Sequence, residues 1–282
     1  MHAQESTVSL DATRIPVFQQ GQGEPLVLFH GYMGSHLSWR HQFDGYARHF
    51  RTIAFDWLGW GASEKNPELD YSFDAEVDRL LRFFDELGHA RVHFIGHDYG
   101  GFLGLGIAQQ HPDRFRSFTI VNSRAHKSWR PHWYGIFKFM NLVAKGPKYR
   151  AAYRAMPLES IHRRFVAREV KRGTFTPDVL DYHCGWMSRD DGADYLAEFF
   201  RHYKLKSRDD LAAGLPSMRV PTQILWGARD PFLSAEIARD LAAKIPGAEL
   251  HLYPRAHHFL PEELKETFVE DSLPFLLRHR QT

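Results

Sequence analysis

Short, nearly continuous apolar runs recur along the chain at 25–30, 52–56, 92–95, 118–121, 222–226 and 249–253, each bounded by Gly, Asp or another turn-forming residue. Runs of this kind are what strands buried on both faces require, and they point to a parallel sheet. Between two of them, 73–87 places Val77, Leu80, Leu81, Phe84 and Leu87 on one face at helical spacing. Strands alternating with helices predict a doubly wound, mostly parallel central sheet flanked by helices. Ahead of these, 8–10 and 15–18 alternate in the manner of an antiparallel hairpin at the sheet edge.

The strand rhythm stops between 124 and 217. That stretch carries helical patterns at 134–142, 157–170, 177–186 and 193–203, and the next strand resumes after Val220-Pro221. A helical insertion between consecutive strands of a parallel sheet emerges on the side where the functional loops gather. The expected organisation is a core domain of 1–123 and 218–282, with a helical cap of 124–217 inserted into it.

Composition narrows the class. At 282 residues, 43% hydrophobic and 25% charged, the chain can bury one substantial core. A formal charge of +2 is too small to suggest nucleic acid as partner. Arg and Lys concentrate with aromatics at 124–172, which reads as the solvated outer face of the cap. Cys184 is the single cysteine, so an intramolecular disulfide and a Cys-built metal site are both excluded. Residues 1–13 hold no apolar leader, and no window approaches the roughly 20 apolar residues of a membrane span. The expectation is a cytoplasmic enzyme, monomer or homodimer, that needs no cofactor or metal and acts on a small hydrophobic organic substrate with water.

The sharpest local signal is Gly96-His97-Asp98-Tyr99-Gly100-Gly101, between the apolar run at 92–95 and a helix-compatible stretch at 102–111. Glycines on both sides of one residue suit a tight strand-to-helix turn, where a Cβ would strike the neighbouring strand or helix. Asp98 is then a nucleophile, and a carboxylate nucleophile forms an ester with an sp3 carbon that bears a leaving group. Further along, Asp230 follows the run at 222–226 and His258 follows the run at 249–253. Their expected roles are the acid that orients the base and the base that activates water on the ester. The adjacent His257 is the alternative base. His30-Gly31-Tyr32-Met33-Gly34 also follows a strand end, and the N–H groups of Tyr32 and Tyr99 are the expected oxyanion donors.

The order nucleophile, acid, histidine and the elbow glycines resemble the α/β-hydrolase superfamily over nearly the whole chain. The elbow is similar to those of epoxide hydrolases and haloalkane dehalogenases, which share an aspartate nucleophile. In the dehalogenases a Trp after the nucleophile, with an Asn or a second Trp, solvates the halide; Tyr99 and Tyr32 stand at the matching positions here. The arginine clamp of fluoroacetate dehalogenases is likewise replaced, by Tyr99 and Phe102. Epoxide hydrolases polarise the ring oxygen with cap phenols, for which the candidates are Tyr149 or Tyr153 with Tyr195 or Tyr203. His30, Trp129, Trp133, Tyr134 and Trp186 are the candidate pocket residues. The resemblance implies epoxide hydrolysis first, haloalkane dehalogenation second, and a non-catalytic ligand-binding homologue as a third alternative.

Overall fold

In the computed structural model, residues 3–124, 131–203 and 208–281 are described, with the backbone alone for 131–133. The eight strands are β1 (Gln4–Leu10), β2 (Thr13–Gln20), β3 (Pro25–Phe29), β4 (Arg51–Phe55), β5 (Val92–His97), β6 (Phe115–Val121), β7 (Thr222–Gly227) and β8 (Glu249–Tyr253). They form one sheet in the order β1-β2-β4-β3-β5-β6-β7-β8. β1 and β2 form the antiparallel hairpin, β2 runs antiparallel to β4, and every later pair is parallel. The apolar runs read from the sequence therefore became strands at every position. The central strand β5 is buried at every residue, whereas the edge strand β8 exposes alternate positions. This follows from coverage by helices on both faces at the centre and on one face at the edge.

On the N-terminal side the helices are α1 (Phe43–Ala47), α2 (Phe73–Glu86) and α3 (Tyr99–Gln110). α2 buries Val77, Leu80, Leu81 and Phe84, as its periodicity requires. α3 is apolar on every side and buried from Tyr99 to Ala108, so it is held between sheet and surrounding elements rather than laid on a surface. Between β6 and β7 the regular elements among the described residues are all helices: α4 (Pro131–Val143), α5 (Tyr149–Arg154), α6 (Leu158–Phe165), α7 (Ala167–Lys171), α8 (Pro177–Cys184), α9 (Asp190–His202) and α10 (Asp209–Gly214), with short 3-10 turns at Gly185–Ser188 and Leu215–Ser217. α11 (Ala235–Lys244), α12 (Leu260–Leu264) and α13 (Glu266–Arg278) complete the chain.

The pattern at 157–170 is interrupted rather than continuous, because Val166 leaves helical geometry and turns a buried side chain inward between α6 and α7. α5 and α10 fall where the sequence carried no helical pattern long enough to read. Both are about one and a half turns, a length at which packing decides helix formation and intrinsic propensity does not. Two buried clusters lie on the two sides of the sheet. The larger runs from β-sheet residues such as Val27 and Phe94 into Phe137, Tyr153 and Phe199 of the helical segment, so the core is continuous between them. No helix among the described residues is long and apolar enough to cross a membrane.

Candidate active site

Asp98 sits at the turn between β5 and α3 with φ 44° and ψ −104°, in a region that side chains other than glycine rarely occupy. Such a residue costs on the order of 1–3 kcal/mol and persists where its neighbours over-determine it. Here the Asp98 N–H donates to the Val121 carbonyl (3.0 Å), and the Asp98 carbonyl accepts from Ser123 Oγ (2.6 Å) and from the Phe102 N–H (2.9 Å). The glycines close the turn. A Cβ on Gly96 would stand 2.6 Å from the Gly100 carbonyl carbon, and one on Gly100 would stand 2.8 Å from the Phe29 carbonyl oxygen and side chain.

The Asp98 carboxylate is buried, and its Oδ2 accepts the Tyr32 N–H at 3.0 Å. His258 is buried too, and its Nδ1 donates to Asp230 Oδ2 at 2.7 Å. That bond leaves Nε2 of the neutral ring with its lone pair. Asp230, fully buried, accepts three further bonds: from Asn122 Nδ2 on Oδ2 (2.7 Å) and from the Phe232 and Leu233 N–H groups on Oδ1 (2.7 and 2.9 Å). Both oxygens are thereby saturated, which keeps the buried carboxylate satisfied. His257 points elsewhere, its ring and N–H meeting Glu263.

The electrostatics separate the histidines. Burial opposes charge on His258, but the Asp230 carboxylate, its hydrogen bond and Asp98 outweigh it and raise the imidazole above its ordinary value. His97 is driven the other way by burial and by His258, so it stays neutral and donates Nε2–H to the His258 carbonyl at 2.9 Å. For Asp98, burial raises the carboxyl against the opposing pull of His258, the Tyr32 N–H and Arg124.

Asp98 and His258 open on one small apolar cavity walled by Tyr32, Met33, Phe137, Phe165, Val166, Phe232 and Phe259. An aromatic wall with few polar groups is the usual form of a site for a small organic molecule. The helical segment supplies Phe137, Phe165 and Val166. The sequence did not single these out, because an aromatic on an amphipathic helix reads the same whether it packs or lines a cavity. Asn122 was missed for a related reason. It ends β6 with φ 39°, and its amide bridges Asp230 and the Gly227 N–H, contacts that exist once β6 and β7 are paired.

Other sequence candidates lie away from the cavity wall. His30 is buried and braces its own loop, its Nε2 accepting the Trp57 N–H at 3.1 Å. The Tyr153 hydroxyl donates to the Met140 carbonyl at 2.8 Å, and the Tyr149 hydroxyl to Glu198. Tyr195 and Trp186 pack with Trp60 in an aromatic cluster, and Tyr134 is exposed. Tyr203 lines a neighbouring cleft with Tyr99 and Phe102. Trp129 and the side chain of Trp133 lie outside the described residues.

Two substitutions test this geometry. Asn122→Asp sets a second buried carboxyl against Asp230; denaturant unfolding at neutral pH should show a loss of about 3 kcal/mol, the order expected when a buried charge loses its partner. Gly100→Ala should lower stability by about 1–3 kcal/mol in the same measurement, because the clash is with backbone and a ring root that cannot swing away.

The model of the alpha/beta hydrolase fold family matches residues 24–263. The chain is 25% identical to the 2-hydroxy-6-oxononadienedioate/2-hydroxy-6-oxononatrienedioate hydrolase of Burkholderia vietnamiensis, over 95% of this chain and 93% of that one. It is also 25% identical to epoxide hydrolase 1 of Caenorhabditis elegans, over 97% of this chain and 70% of that one. The solved structure of the epoxide hydrolase CorEH without ligand superposes with a TM-score of 0.82 at 20% identity, covering 99% of this chain and 100% of that one, a likeness of fold. With the family model spanning most of its length and the eight-stranded sheet in place, the chain belongs to the alpha/beta hydrolase fold family of hydrolytic enzymes.

Proposed function

We propose that this protein is a cofactor-free hydrolase that opens a small apolar or aromatic epoxide to a diol through a covalent ester on Asp98. The observation that carries the reading is an aspartate at the strained elbow facing an apolar cavity, together with a His258–Asp230 pair on the same cavity. A carboxylate needs no base to attack, and its ester needs one to be hydrolysed. The helical segment between β6 and β7 serves as the cap that closes the cavity and selects the substrate.

In the first step Asp98 Oδ1 bonds to an epoxide carbon, the carbon–oxygen bond of the ring breaks, and the released alkoxide takes a proton from an acid in the site. Oδ2, already bound to the Tyr32 N–H, becomes the ester carbonyl oxygen. In the second step His258 Nε2 takes a proton from water, whose oxygen attacks the ester carbonyl carbon. The developing oxyanion on Oδ2 then meets the Tyr32 N–H, with that of Tyr99 as second donor. Asp230 stabilises the imidazolium, which returns its proton as the diol departs. His97 fixes the loop of the base through the His258 carbonyl.

Haloalkane dehalogenation would use the same ester, but it needs indole or amide donors for the halide. Trp186, the cap indole with a described side chain, is packed beside Trp60 rather than on the cavity wall. The intact Asp230–His258 hydrogen bond favours turnover over mere ligand binding.

With epoxides, His258→Ala should accumulate an adduct equal in mass to the whole epoxide, and Asp98→Asn should accumulate none; intact-protein mass spectrometry reads both. An adduct lacking a halogen, formed from haloalkanes instead, would transfer the assignment to dehalogenation. The pH dependence has a definite sign. Because His258 is held above the ordinary imidazole value, it is protonated and unable to accept a proton below that raised value. Single-turnover ester hydrolysis in the unmodified enzyme should therefore rise with pH as the imidazole loses its proton.

A further inference from the structure

Tyr32 belongs to the turn that follows β3, which the Gly34 N–H closes on the Gly31 carbonyl at 3.0 Å. The next residue, Met33, stands at φ 54°, a left-handed conformation that a side chain keeps only where its surroundings over-determine it. The turn lies directly against the nucleophile: a Cβ on Gly31 would stand 2.9 Å from the Asp98 Cβ, and the Tyr32 N–H reaches Asp98 Oδ2 at 3.0 Å.

The Tyr32 side chain is held by the helical segment. Its ring is set among Trp60, Phe137, Phe199 and Phe200, with centroids 5.0, 5.4, 5.8 and 6.0 Å away, and the last three of these rings come from α4 and α9. Its hydroxyl meets Nε2 of His162, on α6, at 2.7 Å. His162 Nδ1 stands 2.7 Å from the Leu158 carbonyl, which can only accept, so Nδ1 carries a proton. His162 is fully buried, and burial lowers its pKa to about 4, so the ring is neutral near pH 7 and Nε2 accepts from the Tyr32 hydroxyl. The imidazole also packs edge-on to Phe165, a wall of the cavity, with centroids 5.4 Å apart. Neutral and engaged at both nitrogens, it carries no proton in the reaction, and the effect left to it is positional.

We propose that His162 is a positioning residue for the second step: by accepting the Tyr32 hydroxyl it anchors the turn after β3 to α6 and holds the Tyr32 N–H where the oxyanion develops on Asp98 Oδ2. This rests on the ester mechanism proposed above, in which Tyr32 supplies an oxyanion donor. A bond at the end of the side chain bears on the backbone because the enclosed ring cannot pivot independently of it. The effect falls on one step. Negative charge leaves Asp98 as the ester forms and returns to Oδ2 as water attacks, so a displaced Tyr32 N–H costs the hydrolysis and spares the formation. Packing of α6 on the core thereby governs breakdown of the intermediate.

Two measurements test this. The first needs no substrate. Amide hydrogen exchange followed by NMR should show the Tyr32 N–H exchanging about 5-fold faster in His162→Phe and in Tyr32→Phe, the order expected for loss of one neutral hydrogen bond. In His162→Gln, whose amide oxygen is an acceptor at a reach close to that of Nε2, the rate should return toward that of the unmodified protein. The Phe232 and Leu233 N–H groups, held by Asp230, should keep their rates in all variants. A Tyr32 N–H indifferent to His162→Phe, or all three amides loosened alike, overturns the proposal. The second measurement follows single turnover of an aryl epoxide by rapid-quench intact-protein mass spectrometry, which reads formation and decay of the Asp98 ester separately. His162→Phe and Tyr32→Phe should each slow decay by about 10-fold, less than outright loss of an oxyanion donor, with formation changed by less than about twofold. The double variant should decay no more slowly than either single one, and His162→Gln should recover most of the loss. Equal slowing of both steps, or additive losses in the double variant, overturns the proposal. If no epoxide forms an ester while the Tyr32 exchange responds as expected, the epoxide reading falls and the hold of His162 on the Tyr32 N–H stands.

Discussion

The backbone of Asp98 is held in a conformation that it would not choose alone, and much of the site depends on what holds it there. β5 must pair with β6 so that the Val121 carbonyl meets the Asp98 N–H and Ser123 reaches the Asp98 carbonyl. α3 must start at once so that the Phe102 N–H finds the same carbonyl. Gly96 and Gly100 let strand, helix and β3 approach closely enough for these bonds to form. The strain is thus distributed over the centre of the sheet, which is the part of the molecule least able to relax. A carboxylate projected from such a turn has little freedom to move.

Around that turn, burial acts on many titratable groups and is answered differently at each. His30, His93, His162 and His183 are all pushed down by desolvation, each to a value at which the ring is neutral near pH 7. His258 is as deeply placed, yet it rises, because Asp230 beside it, saturated with donors, and the hydrogen bond between them outweigh burial. Asn122 therefore matters out of proportion to its size. It ties Asp230 to β7 through one amide, fixing the distance over which the carboxylate acts on the imidazole.

The helical segment does for the protons what the sheet does for the backbone. Tertiary contacts direct each phenol, so chemically equivalent side chains become donors, as in Tyr99 and Tyr153, or, in Tyr203, an acceptor from a guanidinium. Apolar residues on the same helices, Phe137 on α4 and Phe165 on α6, close the cavity, so packing of this segment sets the space and the polarity together. Low dielectric strengthens each remaining interaction within it.

The strands, the edge hairpin, α2 and the place of the elbow were all legible in the sequence, because each rests on local periodicity or on the glycines flanking one residue. The order of Asp98, Asp230 and His258 was legible for a related reason: parallel strands bring their carboxyl ends to one edge, so distance along the chain ceases to matter. Side-chain partners across strands were not. Asn122 carried no signal of its own, and Tyr149, Tyr153, Tyr195 and Tyr203 were indistinguishable as candidate acids. Short-range pattern specifies which elements form and which chain positions meet at the sheet edge. The direction of a hydroxyl proton, the charge state of a buried imidazole and the choice between packing and lining depend on neighbours far away in sequence, and the assembled tertiary structure decided them.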